Sequence, residues 1–220
     1  MKDTKYAVIG LGRFGTTLVK ALAREDVEVI AADINPRAVD AVKDDATVAL
    51  VMDSTNREAL LENGLDAVDV AIVGIGENFE ANLFTSILLK QIGARRVIAR
   101  AMTPLQGEIL KGIGIDEVVS PEEESARRLA HKLARPNLLD FVELAKDHGI
   151  VQIKAPHRFV GKSIKDLDLR RRCRINLVAI RREGGQTVSV PLAEDVIAAN
   201  DVLVMIGHEK DIDRVCSGEA

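Results

Sequence analysis

Tryptophan is absent from the chain, tyrosine occurs once, at Tyr6, and cysteine twice, at Cys173 and Cys216. Each shortage excludes something. A protein that stacks nucleic-acid bases on exposed rings carries more aromatic residues than the 3% found here. Two widely separated thiols with no C-x-x-C do not make a disulfide framework, and they read as ordinary reduced residues and not as a redox pair. Charge of one sign is also missing: 30 basic against 34 acidic residues leave a net charge of -4. That balance favours solubility and supplies no footprint for nucleic acid or a membrane surface. No apolar run reaches the roughly 18 residues that span a bilayer. The opening MKDTKYAVIGLG is broken by glycines, has no small-residue cleavage site and meets Arg13, so it reads as a strand and not a leader. The expected setting is the cytoplasm.

Catalytic signatures are missing as well. With Tyr6 in the first apolar run, a Tyr-x-x-x-Lys pair is impossible. The four histidines, His131, His148, His157 and His208, show no H-E-x-x-H or other metal spacing, and neither G-x-S-x-G nor a P-loop occurs.

What is present is a rhythm. Short runs rich in Val and Ile (6–10, 27–32, 46–51, 68–74, 95–101 and 116–120) alternate with amphipathic segments such as 14–24, 56–63 and 78–92. Continuous apolar runs of this length suit strands buried on both faces of a parallel sheet. The alternation predicts an α/β fold, a Rossmann-like doubly wound parallel sheet over residues 1–136. Helix starts are marked by Asn35-Pro36, by Ser54-Thr55 and by Pro121 with three glutamates behind it, where acids complement the helix dipole. Past Arg135-Pro136-Asn137 the rhythm changes. Residues 138–146 predict one more short helix within a 137–149 linker. Short strands follow at 150–154, 176–181, 186–190 and 201–206, with Gly184-Gly185 in a hairpin turn. Residues 150–220 therefore predict a small C-terminal α+β domain, near the lower size limit for an independent core.

Gly10-Leu11-Gly12-Arg13-Phe14-Gly15 matches G-x-G-x-x-G, follows a strand and opens a helix. The next strand ends at Asp33, 18 residues beyond Gly15, close to the spacing of a ribose-binding acid. Gly10 permits the turn, Gly12 lets a phosphate approach, Gly15 allows close helix–strand packing, and the helix N-terminus offers free N–H groups. Arg13 either reaches a terminal phosphate, which favours ATP or ADP over a dinucleotide, or is a solvated surface arginine. Asn35 either assists Asp33 or caps its own helix. Ligands cross the carboxyl ends of such strands. That rule adds Asp53 and Ser54 after the third strand, Gly74, Ile75, Gly76 and Asn78 after the fourth, and Arg100 at the end of the fifth. The basic stretch Arg170-Arg171-Arg172 either attracts a phosphorylated ligand or is a solvated face.

Taken in order, VIGLGRFG, AADIN, the Asp53-Ser54-Thr55 turn, VGIGEN, VSPEEE, GKSIKDLDLRRRCRINLVAIRREG and VPLAEDVIAANDVLVMIGHEKDIDRV resemble the regulatory subunits of Ktr/Trk potassium transporters. Those subunits carry the RCK domain (regulator of conductance of potassium), and the resemblance runs over essentially the whole chain. It implies a non-enzymatic subunit that binds ATP or ADP, or NAD(H), in its first lobe. It also implies homodimers joined through a crossover helix at 138–146, closing into an octameric ring on a membrane potassium-translocating subunit. The chain would then lie at the inner face of the membrane through that partner, with no nucleic acid involved. The cofactor positions it implies are those above, with Phe14 and Ile34 added. Glu122 matches an acid beside a cation (Mg, Ca or Na) at the nucleotide interface. Ile164, Leu167, Asp168, Arg170, Ile175, Asn176, Leu177 and Pro191 match a region that binds cyclic di-AMP in some members. An NAD(P)-dependent oxidoreductase or redox sensor is the alternative use of the first lobe. A ligand-responsive DNA-binding regulator lacks both a helix-turn-helix segment and net positive charge.

Overall fold

The computed structural model describes residues 4–135, 137–185 and 187–217, so Pro136 and Gln186, the first residue of one expected strand, lie outside the described residues. The chain divides into two units, Met1–Glu123 and Glu124–Ala220. In the first, β1 (Lys5–Ile9), β2 (Glu28–Asp33), β3 (Val48–Val51), β4 (Val70–Val73), β5 (Arg96–Arg100) and β6 (Glu117–Val119) form one sheet in the order β3-β2-β1-β4-β5-β6. Every neighbouring pair is parallel. Parallel neighbours need crossovers, and these are α1 (Arg13–Ala23), α2 (Pro36–Asp40), α3 (Arg57–Glu62), α4 (Phe79–Ile92) and α5 (Pro104–Gly112).

The period-2 geometry of a strand sends successive side chains to opposite faces. Ala7 and Ile9 of β1 join Leu60, Leu65, Leu89 and Leu110 in one core layer, while Val8 joins Val19, Val39 and Val42 in the other. Each fully buried Leu or Ile contributes about 1.5–3 kcal/mol, which is why the apolar runs read as continuous. Asn35, Asn56, Asn78 and Thr103 cap α2, α3, α4 and α5 by accepting backbone N–H groups.

The second unit has its own core and its own sheet, ordered β10-β9-β11-β8-β7 and antiparallel throughout. Its strands are β7 (Leu138–Ala145), β8 (His148–Lys154), β9 (Asn176–Arg181), β10 (Thr187–Ser189) and β11 (Val202–His208). Helix α6 (Pro121–Ala134) leads in, α7 (Ile164–Leu167) and α8 (Leu169–Arg172) precede β9, and α9 (Glu209–Ser217) closes the described chain.

The helix and linker expected at 138–146 are corrected: the segment is strand β7, paired with β8 through a two-residue turn in which Asp147 takes φ 61°. The physical reason lies in the register. It shifts between Leu138 and Asp140 and again between Glu143 and Ala145, so two irregularities break the alternation. What remains in the sequence, apolar residues at 138, 139, 141, 142, 144 and 145, contains the three- and four-residue spacings of a helix. A helix that short is marginal alone, whereas the β8 ladder is available. Among the described residues no helix is long and apolar enough to cross a membrane.

Candidate functional site

In an open parallel sheet the crevice beyond the carboxyl ends of the strands, where the order reverses, is the ligand position. Here the reversal falls between β1 and β4. A cavity of about 560 Å³ lies at that point. Its wall takes Gly10, Gly12 and Arg13 from the β1–α1 turn, Asp33 and Ile34 from the end of β2, and Asp53 and Ser54 from beyond β3. Gly74, Ile75, Gly76 and Asn78 come from the β4–α4 loop, and Arg100 and Glu122 from β5 and α6. Phe14, Gly15 and Asn35 are not in the wall.

The β1–α1 turn is shaped by steric necessity. Gly10 has φ +91°, and a Cβ there would lie 2.7 Å from the Ile75 amide nitrogen. A Cβ on Gly15 would come within 2.0 Å of the Gly10 carbonyl oxygen, so α1 packs tightly against the turn. A Cβ on Gly12 would meet nothing within 4 Å; that position opens on the cavity. Gly12 is the N-cap of α1, with no side-chain cap and no acid in the first turn. The other first-unit α-helices are all side-chain capped, so the donors at the start of α1 are left for a ligand or water. Asp33 fixes this turn from β2: one carboxylate oxygen accepts Leu11 N–H at 2.6 Å and the other accepts Asn35 N–H at 2.8 Å. Asn35 caps α2 through Arg37 N–H at 3.0 Å, the second of its two readings.

Asp53 accepts the Thr55 hydroxyl at 2.6 Å and the Thr55 N–H at 2.9 Å; these bonds hold its carboxyl below the usual carboxylate range. Ser54 is buried and shares a 2.8 Å hydrogen bond with Thr85 of α4. Arg100 lies 5.8 Å from the centroid of the Phe14 ring and pairs with Glu122. Arg13 is exposed and pairs with no carboxylate among the described residues.

Sequence reasoning missed Thr55, Ala81 and Met102, which also line the cavity. It missed Asn82 too, 1% exposed, whose amide donates to the carbonyls of Ile75 (2.6 Å) and Arg100 (3.1 Å) and ties the β4–α4 loop to β5. A buried Asn four residues into an amphipathic helix is a detectable signal, but its partners are not.

The chemistry of this wall suits a phosphorylated nucleotide: open backbone donors at Gly12, a carboxylate at Asp33, and cations at Arg13 and Arg100. It does not suit a metal held by protein alone. Glu122 is taken by Arg100, and among the described residues no group of three or more His, Cys, Asp or Glu stands together.

The second-unit candidates scatter by depth. Leu167 and Ile175 are core residues, 5% and 0% exposed. Ile164 and Leu177 pack against that core, Asp168 turns the chain at φ 41°, Arg170 and Asn176 are exposed, and Pro191 is half-buried. Leu167 and Ile175 therefore build this region from inside.

A sheet in the order β3-β2-β1-β4-β5-β6, with a glycine turn at its reversal point, defines a Rossmann-type unit, here followed by a small antiparallel unit. The TrkA-N domain model matches residues 6–121 and the TrkA-C domain model residues 149–217. Ktr system potassium uptake protein C of Bacillus subtilis (strain 168) is 41% identical over 210 residues, covering 96% of this chain and 95% of its own length. Ktr system potassium uptake protein A of the same organism is 36% identical over 214 residues, covering 97% and 96%. The chain belongs to the TrkA-N/TrkA-C family of RCK regulatory subunits of potassium uptake systems. These are regulatory proteins and not enzymes, which removes the oxidoreductase alternative. Among solved structures, the GsuK channel bound to NAD is 24% identical at a TM-score of 0.55, covering 98% of this chain and 38% of that one. The GsuK RCK domain gives 22% and 0.53, covering 99% and 47%. At these identities the likeness is one of fold.

Proposed function

We propose that the chain is the nucleotide-responsive gating subunit of a potassium uptake channel or transporter, binding ATP or ADP, or NAD(H), in the first-unit cavity. The observation that carries this reading is the cavity itself, bounded by the start of α1, whose N-cap Gly12 brings no side chain to the first-turn donors, and by Asp33 and Arg13. Adenine-nucleotide phosphates sit on the α1 donors, the ribose hydroxyls bond Asp33, and Asp53 and Ser54 border the base. Arg13 lies unpaired at the cavity wall and distinguishes ligands by their terminal phosphate.

In this reading the chain works at the inner face of the membrane as part of an assembly with a potassium-translocating subunit; that its relatives are potassium uptake proteins of a Ktr system supports a place in potassium uptake. Homodimers close into a ring of eight. The pairing helix cannot be 138–146, which is β7; α6 takes that role, with Leu129 and Leu133 exposed and no buried residue along it. The surface around Arg170, Asn176 and Pro191 is the place for cyclic di-AMP. A cation at Glu122 would require further donors from a bound phosphate or a second chain.

Calorimetric titration of the purified protein with ATP, ADP and NADH, with and without divalent cation, tests the proposal. Micromolar or tighter binding of ATP and ADP is expected. Tight NADH binding with no response to either adenine nucleotide would move the reading to a redox sensor and remove the role given to Arg13.

A further inference from the structure

Two arginines face the cavity, and they are physically unlike. Arg13 is exposed and unpaired. The Arg100 side chain is only 12% exposed, and its Nε is buried without a hydrogen-bond partner among the described residues. The Phe14 ring lies 5.8 Å from its guanidinium carbon, and its backbone carbonyl is held by Asn82. Gly76 leaves the room it occupies: a Cβ there would lie 2.7 Å from Nη1 and 3.2 Å from the Met102 sulfur. Arg100 is therefore a fixed, largely desolvated cation.

Its partner is the opposite. Glu122 stands on the first turn of α6 with its side chain 59% exposed, and it makes the only ion pair between two residues of the cavity wall among the described residues. A guanidinium fork accepts a phosphate as readily as a carboxylate, and in the same planar geometry. When one partner is rigid and the other solvated, the solvated one leaves. We infer that Glu122 is an internal placeholder: it occupies Arg100 until a phosphate group of the nucleotide displaces it, uncoupling the first turn of α6 from β5. This rests on the nucleotide reading above and adds to it the element through which occupancy is reported.

The test is titration of the whole chain with ADP in chelator, so that no divalent cation can bridge Glu122 to a phosphate. In E122Q, ADP should bind about two- to fivefold more tightly, the range for losing a competing half-exposed ion pair. R100Q should weaken ADP by at least about tenfold, as for loss of a charge-assisted hydrogen bond. In the R100Q background, adding E122Q should change the affinity by less than about 1.5-fold, because the placeholder acts only through Arg100. Amide exchange at residues 125–128, whose acceptors are the first-turn carbonyls of α6, should respond to ADP in the wild type and not in E122Q. ADP binding to the wild type that is unchanged or weakened in E122Q overturns the placeholder and leaves the nucleotide site standing. Exchange at 125–128 that ignores ADP in the wild type overturns the uncoupling. A wild-type chain that binds no adenine nucleotide overturns both readings together.

Discussion

Gly15 is decided by one distance. A Cβ 2.0 Å from the Gly10 carbonyl oxygen leaves no rotamer to adjust, so the backbone of the turn must move. Gly15→Ala should cost about 1–3 kcal/mol by the overpacking mechanism and should open the turn. A thermal melt and an ADP titration would both register it, and a variant with wild-type melting and affinity would contradict the packing argument. Asp33 couples β2 to the same turn. Asp33→Ala leaves Leu11 N–H without its acceptor and should cost about 1–2 kcal/mol of stability, together with at least tenfold in nucleotide affinity. Unchanged affinity in a folded Asp33→Ala protein would separate Asp33 from the ligand. The turn formed by Gly10, Gly12 and Gly15, and the acid Asp33 that holds it, were legible in the sequence because their spacing is local to one β1–α1–β2 unit. The settings of Arg100 and Asn82 were not: their partners lie up to 22 positions away and on other elements.

Among the elements, β5 and β6 show how a side chain takes over a backbone duty. Asp116, just before β6, accepts Val97 N–H at 2.7 Å at the start of β5 and receives Lys90 Nζ at 2.9 Å. The Val97 hydrogen bond first, and Lys90 second, hold its carboxyl below the usual carboxylate range. A depressed native value means that the unfolded chain takes up the proton first as pH falls. The contribution is therefore complete above the unfolded value of about 3.9 and is lost as pH drops through the lower native one. Asp116→Asn should lower the melting temperature at pH 7, and the gap to wild type should narrow below about pH 4. A gap independent of pH would show that the carboxylate charge is not involved. The β7 segment carries the opposite lesson. Its alternation is hidden by two register shifts, and a nine-residue apolar pattern at helical spacing cannot be told from a bulged strand without knowing that β8 lies beside it.

For the molecule as a whole, the two units have separate cores, and the candidate cavity belongs to the first. A ligand shifts an equilibrium between two assembly shapes only by its preference for one of them. A nearly complete switch needs roughly 5 kcal/mol, within reach of the proposed ring of eight when each site supplies about 1 kcal/mol in a concerted change. Arg13 is the group expected to generate the preference between ATP and ADP. Arg13→Ala should bring the two affinities to within about twofold while both still bind, as read by calorimetry. A variant that discriminates as well as wild type would assign the distinction elsewhere.

The sequence by itself determined the doubly wound first unit, the glycine turn and the carboxylate at the end of β2, because strand burial and helix capping are written in local periodicity and spacing. It also carries no Tyr-x-x-x-Lys, G-x-S-x-G or P-loop motif. Only the tertiary structure decided that Arg100 is fixed between Phe14 and Gly76 and held by Glu122, that Asn82 ties a loop to β5, and that residues 138–145 are a strand. Each of these depends on which distant surfaces meet, and a hydrogen bond or a ladder pairing has no local signature until its partner is in place.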